Sequence, residues 1–139
     1  MGFLSQWFGK KKQEEAPAPE YIPPTHFRKE EFSFNSFQDI SPDEAISLMA
    51  QGEVQVLDVR FEYEYRDHRI PSAILIPLPQ LAGRYKELDS TKPTLVVCEH
   101  GMRSLQACNF LGAKEFKTLY NMVGGMAVYR GHQEGEGVS

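Results

Sequence analysis

The stretch LVVCEHGMRS, Leu95 to Ser104, passes from apolar residues through a cysteine into a short polar turn that ends in arginine. A continuous apolar run of this kind reads as a strand buried on both faces, the habit of a parallel sheet. Cys98 ends that strand, and the segment SLQACNFLGAK predicts a helix beginning near Arg103 or Ser104. In an open parallel sheet, ligands bind beyond the carboxyl ends of the strands, so Cys98 stands where chemistry usually occurs. The free N–H groups and positive partial charge of a helix N-terminus stabilise an anion beside them, a thiolate included. Arg103 adds a full positive charge. Gly101 supplies the positive φ that lets residues 99–103 curl round the sulfur with their N–H groups inward. Cys98 is therefore the candidate nucleophile, whereas Cys108, in mid-helix, reads as a small buried hydrophobe.

Outward from this loop, the same alternation of apolar runs and helical segments continues. SPDEAISLMAQG carries helix signals in order: Ser41 as N-cap, Pro42 in the first turn, Glu44 completing a capping box and Gly52 as the stop. Its apolar residues Ala45, Leu48 and Met49 share one face. SFQDI suits a short edge strand, and VQVLDV, AILIPL, TLVVC and FKTLYNM read as further strands. The expectation is an α/β fold, a mostly parallel sheet covered by helices on both faces.

The chain has 139 residues, 41% of them hydrophobic and 24% charged, with net charge −4. That length suits one domain plus a tail, able to bury a core without a metal or disulfide staple. The acidic balance argues against a nucleic-acid partner, which needs a basic face. Two cysteines are too few for a disulfide scaffold, and no secretory signal is evident, so a reducing, cytoplasmic setting is expected. There is no apolar run of about 18 residues to cross a membrane. The four histidines show no metal-ligand spacing, so neither a metal nor another cofactor is expected.

Residues 1–35 differ from the rest, and the domain is expected over 36–139. GFLSQWFGKKK sets Phe3, Leu4, Trp7 and Phe8 at helical spacing ahead of three lysines, and a proline-rich acidic stretch follows. The composition favours a flexible extension ending in a stiff Pro linker. The sharper alternative is a short amphipathic anchor over residues 3–12, peripheral to a membrane or docked on a partner.

From about Ser36 to about His132 the chain resembles the rhodanese family of single-domain sulfurtransferases. The resemblance rests on three segments in the right order. Cys98, Gly101, Arg103 and Ser104 match a Cys-x-x-Gly-x-Arg-Ser loop. LDVR with Glu64, then HRIPSAILIP, resembles a first hallmark, with Asp67 and Ser72 where the family usually has glycine. NMVGGMAVYRGH resembles a second, with Tyr129 where tryptophan is frequent. The resemblance implies a five-stranded sheet and a double displacement. In it the Cys98 thiolate takes a sulfane sulfur from thiosulfate or a persulfide, including a protein persulfide, and passes it to a thiol or cyanide. It also implies a persulfide-binding loop of Glu99, His100, Gly101, Met102, Arg103 and Ser104. Asp58 and Glu64 would then fix the loop and Arg103 from outside, and Arg60 would be a structural ion-pair partner. A monomer is expected.

The departure from the family pattern is Glu99, where thiosulfate-using members often have a basic residue. An acid there should disfavour a dianionic donor, while a protonated His100 would offset it. A phosphatase is a rival reading, but that chemistry places five residues between Cys and Arg, and here there are four, Glu99 to Met102. A binding or redox-regulatory module is the other, since an accessible thiolate is also readily oxidised.

Overall fold

The computed structural model describes residues 37–139. The extension expected over 1–35, with its anchor and linker, lies outside the described residues. The chain runs β1 (Gln38–Ile40), α1 (Pro42–Ala50), β2 (Gln55–Asp58), α2 (Glu62–Asp67), β3 (Ile74–Leu75), α3 (Leu81–Arg84), β4 (Thr94–Val97), α4 (Met102–Ala113) and β5 (Leu119–Met122). The five strands form one sheet in the order β1-β5-β4-β2-β3, and every neighbouring pair is parallel.

Alternation along the strands splits the core into two layers. Leu57, Val96 and Cys98 point to one face, where Leu81 of α3 and Ala107, Cys108 and Leu111 of α4 cover them. Val56, Leu95, Val97 and Met122 point to the other, against Ala45 of α1 and the partly buried Leu48 and Met49. Fully buried Leu57, Leu95 and Leu111 each contribute roughly 1.5–3 kcal/mol by leaving water.

Helix α1 starts as its sequence dictates. The Glu44 N–H donates to Ser41 Oγ at 3.0 Å, and the Ser41 N–H donates to the Glu44 carboxylate at 2.8 Å. Gly52, at φ +87°, follows its last turn. Two expectations need correction. The run AILIPL forms a strand only at Ile74 and Leu75: the Ile76 N–H donates to Asp58 O, Pro77 has no N–H to give, and the Leu78 N–H donates to Val59 O as a 3₁₀ turn begins. Helix α4 starts at Met102, one residue earlier than expected.

Candidate active site

Three strand ends converge on the site. Cys98 follows β4, Asp58 closes β2, and Asn121 lies one residue from the end of β5. The backbone leaves β4 at Cys98, turns at Gly101 with φ +95°, and enters α4 at Met102. A side chain at Gly101 would be forced into the left-handed region, and its Cβ would stand 3.1 Å from the Gly124 nitrogen. The turn brings two backbone donors onto the thiol: Gly101 N lies 3.0 Å and Ser104 N 3.2 Å from Cys98 Sγ. The thiol donates to Ser104 Oγ at 3.3 Å.

The loop is held from below by the Gly124–Gly125 pair. The Met126 and Ala127 N–H groups donate to Cys98 O and Glu99 O at 2.8 and 2.9 Å. Gly125, at φ +67°, lets the two segments approach: a Cβ there would stand 2.4–2.5 Å from the Glu99 and Cys98 carbonyls. This contact gives the glycine pair of the second hallmark its physical reason.

Two arginines hold the loop from the side. Arg103 donates through both terminal nitrogens to both Glu64 oxygens, each at 2.9 Å, and its guanidinium lies 5.6 Å from the Phe61 ring centre. The Arg103 hydrogen bond, opposed by partial burial, holds the Glu64 carboxyl below its ordinary range. Glu64 also accepts from the Phe61 N–H at 2.9 Å, which starts α2. Arg60 is fully buried with Asp58. It donates to both Asp58 oxygens at 2.9–3.2 Å, to Glu99 at 3.0 Å and to the His68 carbonyl at 2.6 Å. Burial works against the Arg60 charge, but Asp58 first and Glu99 second outweigh it and hold the guanidinium above its ordinary value.

The candidate residues thus come together in two sets. Cys98, Gly101 and Ser104 meet at the sulfur, with Arg103 tied back to Glu64. Glu99 turns instead to Arg60, which Asp58 also holds, with His68 Nε2 3.8 Å away. His100 and Met102 are exposed on the loop. Cys108 is buried between α4 and the sheet, and burial pushes its thiol up to about 12. An open cleft of about 680 Å³ lies on the Glu99 side, lined by Glu99, His68, Met126, Tyr129, His132 and Gln133 among others. No cluster of side chains suited to a metal occurs among the described residues.

Sequence reasoning left two nearby residues without a role. Asn121, 2% exposed, accepts the Ser104 hydroxyl proton on Oδ1 at 2.5 Å and donates from Nδ2 to Asp39 Oδ1 at 3.0 Å. The available signal was a polar residue inside LYNM, at a strand position whose side chain must be buried and therefore hydrogen-bonded.

Comparison with known proteins agrees with this geometry. Residues 41–132 match the rhodanese-like domain. The thiosulfate sulfurtransferase GlpE of Pseudomonas entomophila is 34% identical over 102 residues, spanning 73% of this chain and 93% of that protein. A rhodanese-like domain protein from Staphylococcus aureus superposes with TM-score 0.65 at 26% identity, covering 72% of this chain and 99% of that one. A rhodanese-related protein from Thermoplasma volcanium gives 0.62 at 28% identity, covering 67% and 90%. With the family match spanning most of the described residues and the same parallel sheet beneath it, the chain belongs to the rhodanese-like domain family.

Proposed function

We propose that this chain is a rhodanese-type sulfurtransferase that carries sulfane sulfur as a persulfide on Cys98. The observation that carries the reading is the pair of backbone donors, Gly101 N and Ser104 N, within 3.2 Å of Sγ at the mouth of α4. Such donors stabilise an anion on sulfur without moving during the reaction. In the first step the Cys98 thiolate attacks the sulfane sulfur of the donor. A new S–S bond forms, the donor's S–S bond breaks, and sulfite or a thiolate leaves with its electron pair. In the second step an acceptor thiolate or cyanide attacks the outer sulfur of the Cys98 persulfide. The product is a new persulfide or thiocyanate, and the Cys98 thiolate returns. No external oxidant or reductant is consumed.

The charge arrangement favours a persulfide donor over thiosulfate. The two arginines nearest the loop are closed on carboxylates, Arg103 on Glu64 and Arg60 on Asp58 and Glu99. A dianion approaching Sγ therefore meets neither guanidinium with its charge uncompensated. Exposed Phe61, Tyr63, Met102, Val123 and Val128 lie on the segments bordering the loop, an apolar rim that suits a thiol or persulfide borne on a protein.

The test is the intact mass of the reduced full-length protein after thiosulfate or a small persulfide, each followed by cyanide, with Cys98→Ser as control. The expected result is one added sulfur that requires Cys98, loads faster from the persulfide and leaves as thiocyanate. No added sulfur from either donor would overturn the reading in favour of a binding or redox module.

A further inference from the structure

We propose that Asp39, acting through Asn121, positions the Ser104 hydroxyl proton and withholds it from Cys98 Sγ, so that Asp39 and Asn121 restrain the reactivity of the unloaded thiol. This rests on the reading of Cys98 as the reactive sulfur. Donor and acceptor capacity fixes the orientation of each group in the chain. Asp39 and Asn121 face each other in the β1–β5 register. A carboxylate accepts only, so the Asn121 group that meets Asp39 Oδ1 at 3.0 Å must be the amide nitrogen. That choice fixes the amide, and Oδ1 is left facing Ser104 Oγ. An amide oxygen also accepts only, so the single Ser104 hydroxyl proton is committed to Asn121. What Ser104 then offers Cys98 is a lone pair, which suits a protonated thiol donating at 3.3 Å.

A thiolate at Sγ would want the opposite. It keeps the Gly101 and Ser104 backbone donors but can recruit the Ser104 hydroxyl only by leaving Asn121 Oδ1, in a buried site, without a partner. The persulfide has no such conflict, because its charge resides on the outer sulfur while Sγ is uncharged. The relay thus opposes the free thiolate while leaving the loaded form unpenalised. The other charged or titratable groups around the sulfur are Arg103, closed on Glu64; Glu99, closed on Arg60; the neighbouring His100; and the Cys108 thiol, in the same core layer between α4 and the sheet.

The test uses the reduced full-length protein and the pH-dependent rate of Cys98 alkylation by iodoacetamide, assigned by peptide mass. Asp39 is exposed on an edge strand, so Asp39→Ala and Asp39→Val, the latter a strand former, both leave the core intact. Removing Asp39 frees the Asn121 amide to turn its nitrogen toward Ser104 Oγ and releases the hydroxyl to sulfur. Alkylation at neutral pH should rise about three- to tenfold, the scale of one ordinary net hydrogen bond, and the pH midpoint should fall. The same substitution in a Ser104→Ala background should produce no rise. A rise that survives without the Ser104 hydroxyl would mean that Asp39 acts through its charge alone, and no rise in either single variant would mean that it does not act on Cys98; each overturns the proposal. Alkylation needs no sulfur donor, so these outcomes stand apart from failure of sulfur loading.

Discussion

Arg103 and Glu64 meet fork to fork, two parallel hydrogen bonds of 2.9 Å that join the start of α4 to the start of α2 across 39 residues of chain. Glu64→Gln should loosen the Cys98 loop and destabilise the protein by about 1 kcal/mol, the scale of a partly buried ion pair. The pH dependence follows from the lowered Glu64 pKa. A carboxyl depressed in the folded state stabilises fully above its ordinary value of 4.5, and loses that contribution as pH falls through the folded value. Urea unfolding should therefore show a constant gap between parent and variant at neutral pH that closes in acid. A gap that widened in acid would contradict the assignment.

The Arg60–Asp58 pair makes a sharper prediction because both side chains are fully buried. Arg60→Met leaves the Asp58 carboxylate without its partner in the interior, a loss of roughly 3–5 kcal/mol. Arg60→Lys should recover little, since one ammonium cannot replace a fork that serves Asp58, Glu99 and the His68 carbonyl together. Asp58→Leu combined with Arg60→Met should restore much of the stability. Thermal unfolding of the three variants decides the matter.

On the proposed function, Glu99 is expected to bear on both stability and donor choice. Its carboxylate accepts from Arg60 at 3.0 Å, so Glu99→Arg would set two guanidiniums against each other, whereas Glu99→Gln keeps an acceptor and removes the charge. Glu99→Gln should raise the rate of thiosulfate loading roughly two- to fivefold while changing loading from a persulfide, with at most a single charge, less, the order expected for one partly screened charge near the path. Equal changes with both donors would remove Glu99 from the account of specificity.

Ser72 takes φ +72° at the position where the first hallmark usually carries glycine. The left-handed conformation costs a side chain about 1–2 kcal/mol, and glycine returns part of that gain as entropy of the unfolded chain. Ser72→Gly at this exposed site should therefore raise stability by about 0.5–1 kcal/mol with no change in Cys98 chemistry. A lower unfolding midpoint would refute this.

What was legible in the sequence was local. The α1 capping box and the strand–cysteine–glycine–helix order around Cys98 depend on residues within a few positions of each other, and the structure builds both as written. Helix α2 escaped notice because EYEYRD has no buried residue to set a period, and its start is fixed by Glu64 folding back on the Phe61 N–H. AILIPL overstated a strand because hydrophobicity reports burial, while the regular ladder covers only Ile74 and Leu75 before the 3₁₀ turn. The Asp39–Asn121–Ser104 chain was illegible for a different reason. Its links span 82 and 17 residues, and the parallel pairing of β1 with β5 and the packing of α4 on β5 bring them together.

Gly125 concentrates the dependence of the site on backbone approach. Its φ of +67° already disfavours a side chain, and a Cβ would press within 2.5 Å of the carbonyls of Cys98 and Glu99. Those carbonyls are the acceptors by which the Met126 and Ala127 N–H groups hold the loop. Backbone on both sides of the contact leaves no flexible side chain to yield, so Gly125→Ala must push the loop from the glycine pair by about an ångström. Displacement on that scale costs on the order of a hundredfold in a reaction that relies on placed donors. Sulfur loading on Cys98 should fall by about that factor while far-UV circular dichroism stays unchanged, because the sheet beneath is paired independently of the turn. Gly52→Ala, also at positive φ but with nothing within 4 Å, is the matched control: it should cost stability through backbone strain and leave loading intact. If both variants lost loading alike, strain rather than the Gly125 contact would be the cause.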